Sequence, residues 1–430
     1  MDMTSWFDII MIPLQLLIVF FTIYYFTISF FGIFGRKKET KILEPRTTFA
    51  VIVAAHNEEK VIGQLVENLH LLNYPDSMYD IFVVADNCSD NTVKVATDAG
   101  AKVCERHNDV DKGKGFALEW MFNKLFHMER EYDAVIIFDA DNLVHPDFLM
   151  EMNSRYCQGE RLIQGYLDSK NPTDTWVSGV FSISFWIVDH IWHLAKYNIG
   201  LSSVLGGTGM CITTEILHKY GWGATCLTED MEFTMKALLE GIPTTWAHDA
   251  IVYDEKPLTF MQSWNQRKRW SQGHFDVASR YIPKLLKEGI KERNIVMLDG
   301  IIHLFQPYFL LLSTFFVLCS TIYTVFPFYT NVLYAILPVE VWTLIGIGQY
   351  VFPVIVLAKI HASAKSWFYL LLYPVFIYSW IPITVLGYFH RHEHVWSHTA
   401  HTRSISFNDV LIPETTEMGP KEVAFTKHHK

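Results

Sequence analysis

Two adjacent carboxylates, Glu229 and Asp230, stand where one of them can act as a base. They directly follow Thr228, a residue type that commonly precedes a helix. A helix is predicted here because MEFTMKALLE has apolar residues at helical spacing and is followed by Gly241. Backbone N–H groups and the helix dipole favour a charged Asp in a first turn, so we expect Asp230 to be ionised. An ionised carboxylate that faces a cleft can accept a proton from a sugar hydroxyl.

A second group of side chains lies about 36 residues further along the chain, in QRKRW. Gln266, Arg269 and Trp270 fall at positions i, i+3 and i+4, so they share one face if this segment is a helix. The guanidinium is a donor fork suited to phosphate, and the indole is a flat apolar surface suited to a sugar ring. Combined with the carboxylate pair, this face indicates glycosyl transfer.

The pattern TED followed by QRKRW resembles the TED…QxxRW signature of the processive family 2 glycosyltransferases. This group includes the cellulose, chitin, hyaluronan and poly-N-acetylglucosamine synthases. The resemblance extends over roughly residues 45–400. It implies these roles: catalytic base for Asp230, acceptor binding for Glu229, Gln266 and Trp270, and donor binding for Arg269.

A third acidic pattern, Asp139-Ala140-Asp141, ends the apolar run AVIIF. Two carboxylates one residue apart can share Mg²⁺ or Mn²⁺ with a nucleotide diphosphate, because both metals take oxygen ligands. The resemblance implies that Asp141 is the direct metal ligand and that Asp139 contacts both metal and nucleotide. It also implies donor contacts for Asp86, on the uracil side, and for Glu58, in the loop that faces the uridine.

Two glycine-rich loops add candidate residues. Residues 112–115, KGKG, precede a predicted helix whose N-terminus favours anions, which makes Lys114 a candidate donor-binding residue. The loop lacks the Walker pattern, so ATP binding is not expected, and a flexible surface turn is the alternative. Residues 206–209, GGTG, fall where the family has its acceptor terminus. The resemblance therefore implies acceptor binding for Gly207 and Thr208.

Residues 176–205 are rich in aromatic side chains, and two interpretations stay open. Packing in the core explains most of such rings. The other interpretation is a path for the acceptor, because sugar rings stack on aromatic faces. The rings concerned are Trp176, Phe181, Phe185, Trp186, Trp192 and Tyr197.

The elements that would position these residues form an α/β domain. Buried strands are predicted at residues 48–55, in DIFVVAD and in AVIIFDA, and a polar loop follows each of them. Ligands of open parallel sheets bind at the carboxyl ends of the strands. Together with the resemblance, this predicts a GT-A-type nucleotide-diphospho-sugar domain with an open mixed, mostly parallel sheet, embedded between transmembrane helices.

An apolar run near the N-terminus, residues 6–34, contains one charge, Asp8, and exceeds the roughly 20 residues that cross a bilayer. Its position before basic residues predicts an anchor and not a cleaved signal peptide. By the positive-inside rule the N-terminus lies outside and the next domain lies in the cytoplasm. The basic residues are Arg36, Lys37, Lys38 and Lys41.

Three further candidate spans follow the catalytic region, at residues 297–326, 339–359 and 367–389. Pro374 and Pro382 leave open whether the last one is split into a re-entrant or interfacial pair. An extra helix within the first one is a second open alternative. The polar residues His303, Gln306, Glu340 and Gln349 are expected to line a path for the product.

The predicted domain organisation has five parts. They are an N-terminal transmembrane anchor (1–40), a cytoplasmic GT-A domain (41–260), QRKRW with amphipathic interface helices (261–296), a C-terminal transmembrane block (297–392) and a polar tail (393–430). The helix after QRKRW has an apolar face and cations elsewhere, which suits the cytoplasmic membrane interface. An ordinary surface helix packed on the domain is the alternative.

Composition excludes some classes of function. The net charge of −10 argues against nucleic acid as a partner. The six cysteines form no CxxC pair and no Cys/His ligand spacing, as expected of free thiols in a reducing compartment.

The resemblance implies a processive, inverting, metal-dependent enzyme of the plasma membrane that builds and exports a polysaccharide from a UDP-sugar. UDP-glucose and a cellulose-like or mixed-linkage β-glucan are slightly favoured, and a UDP-N-acetylglucosamine polymer is the first alternative. A non-processive transferase acting on a lipid carrier and a catalytically silent export scaffold are the rivals. The expected partners are the UDP-sugar, the growing polysaccharide and the bilayer, and accessory export subunits could join them.

Overall fold

The computed structural model describes residues 3–35, 41–224 and 226–393. The basic residues Arg36, Lys37 and Lys38 lie outside these ranges, as does nearly all of the predicted tail, residues 394–430.

A mixed sheet of eight strands forms the centre of the catalytic region, in the order β3-β2-β1-β4-β7-β6-β8-β5. The strands are β1 (Phe49–Ala55), β2 (Tyr79–Asp86), β3 (Lys102–Arg106), β4 (Ala134–Asp139), β5 (Leu143–Val144), β6 (Leu162–Ser169), β7 (Met210–Thr213) and β8 (Thr245–Asp254). The first four are parallel and β6 is parallel to β8, whereas β7 is antiparallel to both β4 and β6, and β5 is antiparallel to β8. The predicted mixed α/β sheet is therefore confirmed.

Helices cover both faces of this sheet. The chain order is α1 (Met3–Ile33), α2 (Ile62–Leu69), α3 (Thr92–Asp98), α4 (Lys114–Leu125), α5 (Phe148–Cys157), α6 (Trp176–Val188), α7 (Ala195–Ile199), α8 (Thr214–Tyr220), α9 (Glu229–Leu239), α10 (Phe260–Lys291), α11 (Ile295–Tyr323), α12 (Leu333–Ile336), α13 (Val339–Lys359), α14 (Ala364–Tyr369) and α15 (Tyr373–Phe389). Alternate residues of β1 belong to different cores: Val51 and Val53 pack with α2, and Ala50 and Ile52 pack with α4. Burying each such aliphatic side chain contributes about 1.5–3 kcal/mol.

The parallel pairing brings the acidic loops to one edge. Ala54 of β1 lies beside Val84 of β2 and beside Asp139 of β4, so the carboxyl ends of all three strands are level. The loops that follow these strands carry the predicted donor-binding acids.

Among the described residues, four helices are long and apolar enough to cross a membrane: Trp6–Ile33, Ile295–Tyr323, Val339–Lys359 and Ala364–Phe389. The second is one continuous helix, so no extra helix lies within the predicted span 297–326. The last consists of α14, a 3₁₀ turn at Leu370–Leu372 and α15. The interruption precedes Pro374, which occupies the first turn of α15, while Pro382 lies inside that helix.

Helix α10 connects the catalytic region to the membrane helices. It begins with a capping box, in which Thr259 Oγ1 accepts from the Gln262 N–H, and it continues without a break to Lys291, so one helix forms most of the predicted interface segment 261–296. It packs against α9, α11 and α15. Leu286 and Ile290 near its end stay exposed. The motif QRKRW is therefore fixed to the catalytic region and to two candidate spans at once.

A buried ion pair joins three helices where the catalytic region meets the spans. Lys196 Nζ lies 2.7 Å from Asp299 Oδ2, and the Tyr24 hydroxyl donates to the other oxygen of Asp299. These residues belong to α7, α11 and α1, and both charged side chains are almost fully buried.

We expect Lys196→Met to destabilise the protein by about 3–5 kcal/mol, because Asp299 would keep a buried charge without its counterion. Thermal unfolding of the protein in nanodiscs measures the loss. The double variant Lys196→Met/Asp299→Asn is the control and should recover part of the stability. A single variant as stable as the wild type would contradict this account.

Candidate active site

Lys114 connects the predicted donor residues to the predicted acceptor loop. Its Nζ donates to Asp139 Oδ1 and to the backbone oxygen of Gly207, each at 2.5 Å. Gly207 has φ +84°, and a Cβ atom on it would lie 3.3 Å from Asp230 Oδ2. The DxD element, the GGTG loop and the TED motif therefore meet around one ammonium group.

The turn that carries Asp139 and Asp141 is held from two sides. The Asp139 N–H donates to Asn142 Oδ1 at 3.0 Å and to Thr208 Oγ1 at 3.1 Å. The Thr208 hydroxyl in turn donates to Asn142 Oδ1, and Lys170 Nζ donates to the backbone oxygen of Asp141 at 2.6 Å. The hydroxyl of Thr208, which we predicted at the acceptor, thus supports the DxD turn.

On the donor side, Glu58 and Asp86 are buried and border the same cavity. Asp86 Oδ1 accepts from Arg106 Nη1 at 2.5 Å, and Arg106 also donates to the backbone oxygen of Asp111 at 2.8 Å. Arg106 therefore ties the end of β2 to the loop before Lys114, which borders the cavity as the first residue of α4. The N-terminus of that helix borders the cavity, and such a terminus favours an anion.

The face of α10 predicted from spacing is present. Gln266, Arg269 and Trp270 all border the cavity, whereas Arg267 points away and donates to Ser379 Oγ of α15 at 2.8 Å. Gln266 Oε1 is buried without a hydrogen-bond partner among the described residues. Such an atom is suited to accept a hydrogen bond from a ligand hydroxyl.

Close packing between α10 and the TED loop sets their spacing. A Cβ atom on Gly273 would lie 2.5 Å from Thr228 Oγ1, so only glycine permits this approach. Arg280, about two turns beyond Gly273 on α10, donates from Nη1 to Glu232, which lies one turn beyond Thr228 on α9. Thr228 itself precedes α9 as predicted, but its side chain makes no capping hydrogen bond.

The cavity that these residues border has a volume of about 1770 Å³. Pockets for one small ligand usually have about 300–1,000 Å³, so this cavity has room for a donor and an acceptor together. It starts at Asp86 and Asp139 and continues to α11 and α15. Its membrane end is formed by Gln306, Pro307, Leu310, Tyr373, Phe376, Ile377, Trp380 and Thr384.

The expectation that the helix keeps Asp230 readily ionised is wrong. The Met231 N–H does donate to Asp230 Oδ1 at 2.8 Å, as a helix N-terminus predicts. Burial and the neighbouring Glu229 carboxylate nevertheless raise the pKa of Asp230 above its usual range. Burial likewise raises the pKa of Glu229, against the opposing charges of Lys114 and Arg269.

Comparison with known proteins identifies the family. Residues 45–273, more than half of the chain, match the family described as "Glycosyltransferase like family 2". The chain belongs to this family.

Three curated relatives show how far this chain resembles known proteins. It is 26% identical over 270 residues to the probable glycosyltransferase YdaM of Bacillus subtilis (strain 168), covering 61% of the chain and 62% of the relative. It is 26% identical over 257 residues to the beta-monoglucosyldiacylglycerol synthase of Trichormus variabilis, covering 57% of the chain and 53% of the relative. It is 23% identical over 310 residues to the poly-beta-1,6-N-acetyl-D-glucosamine synthase of Staphylococcus aureus (strain COL), covering 68% of the chain and 72% of the relative. The chain thus matches about half to three fifths of the length of the first two.

A solved structure supports the fold. The mannosyltransferase PcManGT from Pyrobaculum calidifontis, solved in complex with GDP-Man and Mn²⁺, superposes with a TM-score of 0.50 over 80% of the present chain and 98% of its own. The sequence identity is 15%, so the likeness concerns the fold alone. The predicted GT-A-type domain, flanked by candidate transmembrane helices, is confirmed.

Several residues that shape the candidate site carry no local sequence signal. Two of them, Arg106 and Lys170, contact Asp86 and the Asp141 backbone from segments that are distant in the chain. A third, Asn142, supports Asp139 within the same turn. Asp189 and Lys256 also border the cavity. An isolated Asp or Lys outside a motif cannot be told from an ordinary polar residue.

The raised pKa of Asp230 predicts a dependence on pH. A carboxyl group that is still protonated cannot act as a base, so the rate should rise with pH as Asp230 loses its proton. Glu229→Gln removes the like charge and should shift this acid limb to lower pH. Profiles of kcat/KM against pH for wild type and variant measure the shift. An unmoved limb would show that Asp230 does not control it.

Proposed function

We propose that this glycosyltransferase transfers a hexose from a UDP-sugar to a sugar hydroxyl, with inversion at the anomeric carbon. The observation that supports this most is the meeting of the TED, DxD and QxxRW residues at one cavity. Asp230 takes the proton of the acceptor hydroxyl, whose oxygen attacks the anomeric carbon while the bond to UDP breaks. A single displacement of this kind needs one base and no covalent intermediate.

The leaving diphosphate needs positive charge. Arg269 and Lys114, which border the cavity, are the proposed donors to its oxygens. The adjacent carboxylates of Asp139 and Asp141 fit a hard divalent cation, and the described residues contain no group of three acidic, His or Cys ligands that could hold a metal by itself. Mg²⁺ or Mn²⁺ shared with the diphosphate would neutralise the charge that develops on UDP.

The proposed acceptor is a growing glycan, extended processively. The continuation of the cavity towards α11 and α15, with aromatic rings along it, supports a path from the active site into the membrane region. Of the four polar residues expected to line this path, Gln306 borders the cavity, whereas His303, Glu340 and Gln349 do not. The proposed product is a β-glucan from UDP-glucose. The similarity to a poly-N-acetylglucosamine synthase supports UDP-N-acetylglucosamine as the alternative donor.

A lipid acceptor is the second candidate. Leu310, Phe376 and Ile377 give the membrane end of the cavity an apolar character that suits acyl chains. The similarity to a beta-monoglucosyldiacylglycerol synthase supports the same choice. The acceptor hydroxyl would then belong to a diacylglycerol or to its sugar headgroup.

The proposed topology is a multi-pass protein of the plasma membrane with the catalytic domain in the cytoplasm and the five-part division given above. Four candidate spans support membrane insertion. Accessory export subunits remain a proposal for partners.

UDP release tests these alternatives. Purified protein in nanodiscs is given UDP-glucose or UDP-N-acetylglucosamine separately, with Mg²⁺ or Mn²⁺, and the products are digested with linkage-specific glycanases. A high-molecular-weight product from one donor supports the polymer. Turnover only after addition of diacylglycerol would refute it in favour of the lipid acceptor, and turnover with neither donor would refute both.

A further inference from the structure

A buried acid outside the three motifs faces the acceptor half of the cavity. Asp189 is the first residue of a π-helical turn, Asp189–Leu194, that continues α6. Its exposed fraction is 2%, and its Oδ2 atom has no hydrogen-bond partner among the described residues. Leaving a buried carboxylate oxygen without a donor is costly, so such an atom needs an explanation.

Asp189 lies close to the catalytic centre. The backbone of Leu167 interacts with the carboxyl group of Asp189. The side chain of Leu167 lies against Gly206, 2.8 Å from the position that a Cβ atom on that glycine would take. The next residue, Gly207, faces Asp230. Asp189 is thus connected to the proposed base through Leu167 and the GGTG loop.

A cation stands beside this acid. Lys256 is buried and also borders the cavity, and its Nζ lies 2.6 Å from Asp254 Oδ1 and 3.3 Å from the ring centre of Phe185. Burial raises the pKa of Asp189 well above its usual range, and the charge of Lys256 opposes part of that rise. Acid and ammonium together offer acceptors and donors on one wall.

The aromatic rings of the same wall contact the QxxRW motif. Phe181 and Phe185 lie 5.8 Å and 6.3 Å from Trp270, measured between ring centres. Both rings border the cavity, as do Asp189 and Lys256. The polar groups of Asp189 and Lys256 therefore lie beside aromatic rings. A pyranose ring has hydroxyl groups at its edge and an apolar face, so it can use both kinds of contact.

We propose that Asp189 and Lys256 bind hydroxyl groups of the acceptor sugar, while Phe181, Phe185 and Trp270 contact its ring. This inference rests on the proposed function and adds to it a subsite outside the TED, DxD and QxxRW motifs. A sugar hydroxyl both donates and accepts, so it can satisfy Asp189 Oδ2 and approach the ammonium of Lys256 at the same time. Asp254, which pairs with Lys256, positions that ammonium.

The test compares Asp189→Asn with the matched control Asp168→Asn. Asp168 is a neighbouring acid whose Oδ1 accepts from Trp186 Nε1 at 2.7 Å and which does not border the cavity. The protein is kept full-length in nanodiscs and given β-1,4-linked tetrasaccharides of glucose and of N-acetylglucosamine as soluble acceptors. KM for the tetrasaccharide, kcat and the affinity for UDP are measured for each variant.

We expect Asp189→Asn to raise the acceptor KM about tenfold, as loss of one hydrogen bond to the acceptor predicts, with UDP affinity unchanged. The wild type should also bind one monodeoxy tetrasaccharide more weakly than the parent, and Asp189→Asn should lose this discrimination. Asp168→Asn should leave the acceptor KM unchanged.

The outcomes separate the subsite from the function on which it rests. An acceptor KM that stays unchanged in Asp189→Asn, or that rises equally in Asp168→Asn, overturns the subsite while the transferase activity stands. A wild type that turns over a UDP-sugar with a lipid but transfers nothing to either tetrasaccharide refutes the proposed glycan acceptor, and the subsite with it.

Discussion

Asp230→Asn is expected to lower kcat for glycosyl transfer by about 10²–10⁴-fold, the usual contribution of a general base. The amide keeps the size of the side chain but cannot take a proton. UDP affinity should change little, because Asp230 lies across Gly207 and Lys114 from the DxD element. Single-turnover transfer and a separate UDP titration distinguish chemistry from binding.

Glu240→Gln is the matched control for this variant. Glu240 directly follows the last residue of α9, at the opposite end of the helix from Asp230, and its side chain is exposed. The Glu240→Gln variant removes a carboxylate that does not border the cavity, so kcat should stay at the wild-type value. Retention of polymer synthesis by Asp230→Asn would show that another group is the base.

The sequence was sufficient to predict the sheet and the edge at which the acids meet. Runs such as FAVIVAA and AVIIF are apolar throughout, as strands buried on both faces must be, and each is followed by polar residues. The carboxyl ends of parallel neighbours are level, so Asp86 and Asp139 had to lie near each other. Helical spacing alone also placed Gln266, Arg269 and Trp270 on one face.

Electrostatics of the site could not be predicted in this way, because they depend on distant segments. A helix N-terminus favours an ionised Asp230, but the sequence does not reveal how deeply the loop is buried or that Glu229 faces the same space. Lys114 reaches Asp139 and Gly207 across 25 and 93 positions of the chain. Contacts of that separation leave no periodic trace.

The membrane end of the cavity was equally hidden. Hydropathy predicts that α11 and α15 are spans, but not that they border the active site. That arrangement follows from α10, which packs on both of them and on α9. Two residues of α10 permit this packing. Gly273 has no side chain to clash with Thr228, and Arg267 donates a hydrogen bond to α15. Neither residue belongs to the predicted reactive face of QRKRW.

Asp141→Asn is expected to have a different signature, since it should weaken UDP binding as well as transfer. An amide is neutral and a poorer ligand for a hard cation than a carboxylate, so the increase in UDP affinity that Mn²⁺ brings to the wild type should fall by about tenfold or more. The rate of glycosyl transfer should also fall by about 10²-fold or more, because the negative charge on the leaving UDP is less well neutralised in this variant. Calorimetric titration of UDP with and without Mn²⁺ measures the first effect, and UDP release measures the second.

Asp133→Asn is the matched control, because Asp133 directly precedes the amino end of the strand that ends in Asp139. Its Oδ2 accepts from Thr48, so the variant loses hydrogen bonds at the opposite edge of the sheet, about 20 Å from the DxD turn. Stability should fall while the Mn²⁺ effect on UDP affinity stays intact. If Asp141→Asn kept that effect, the cation would not be held by the DxD element. Lys114 and Arg269 would then remain as the groups that balance the charge of the diphosphate.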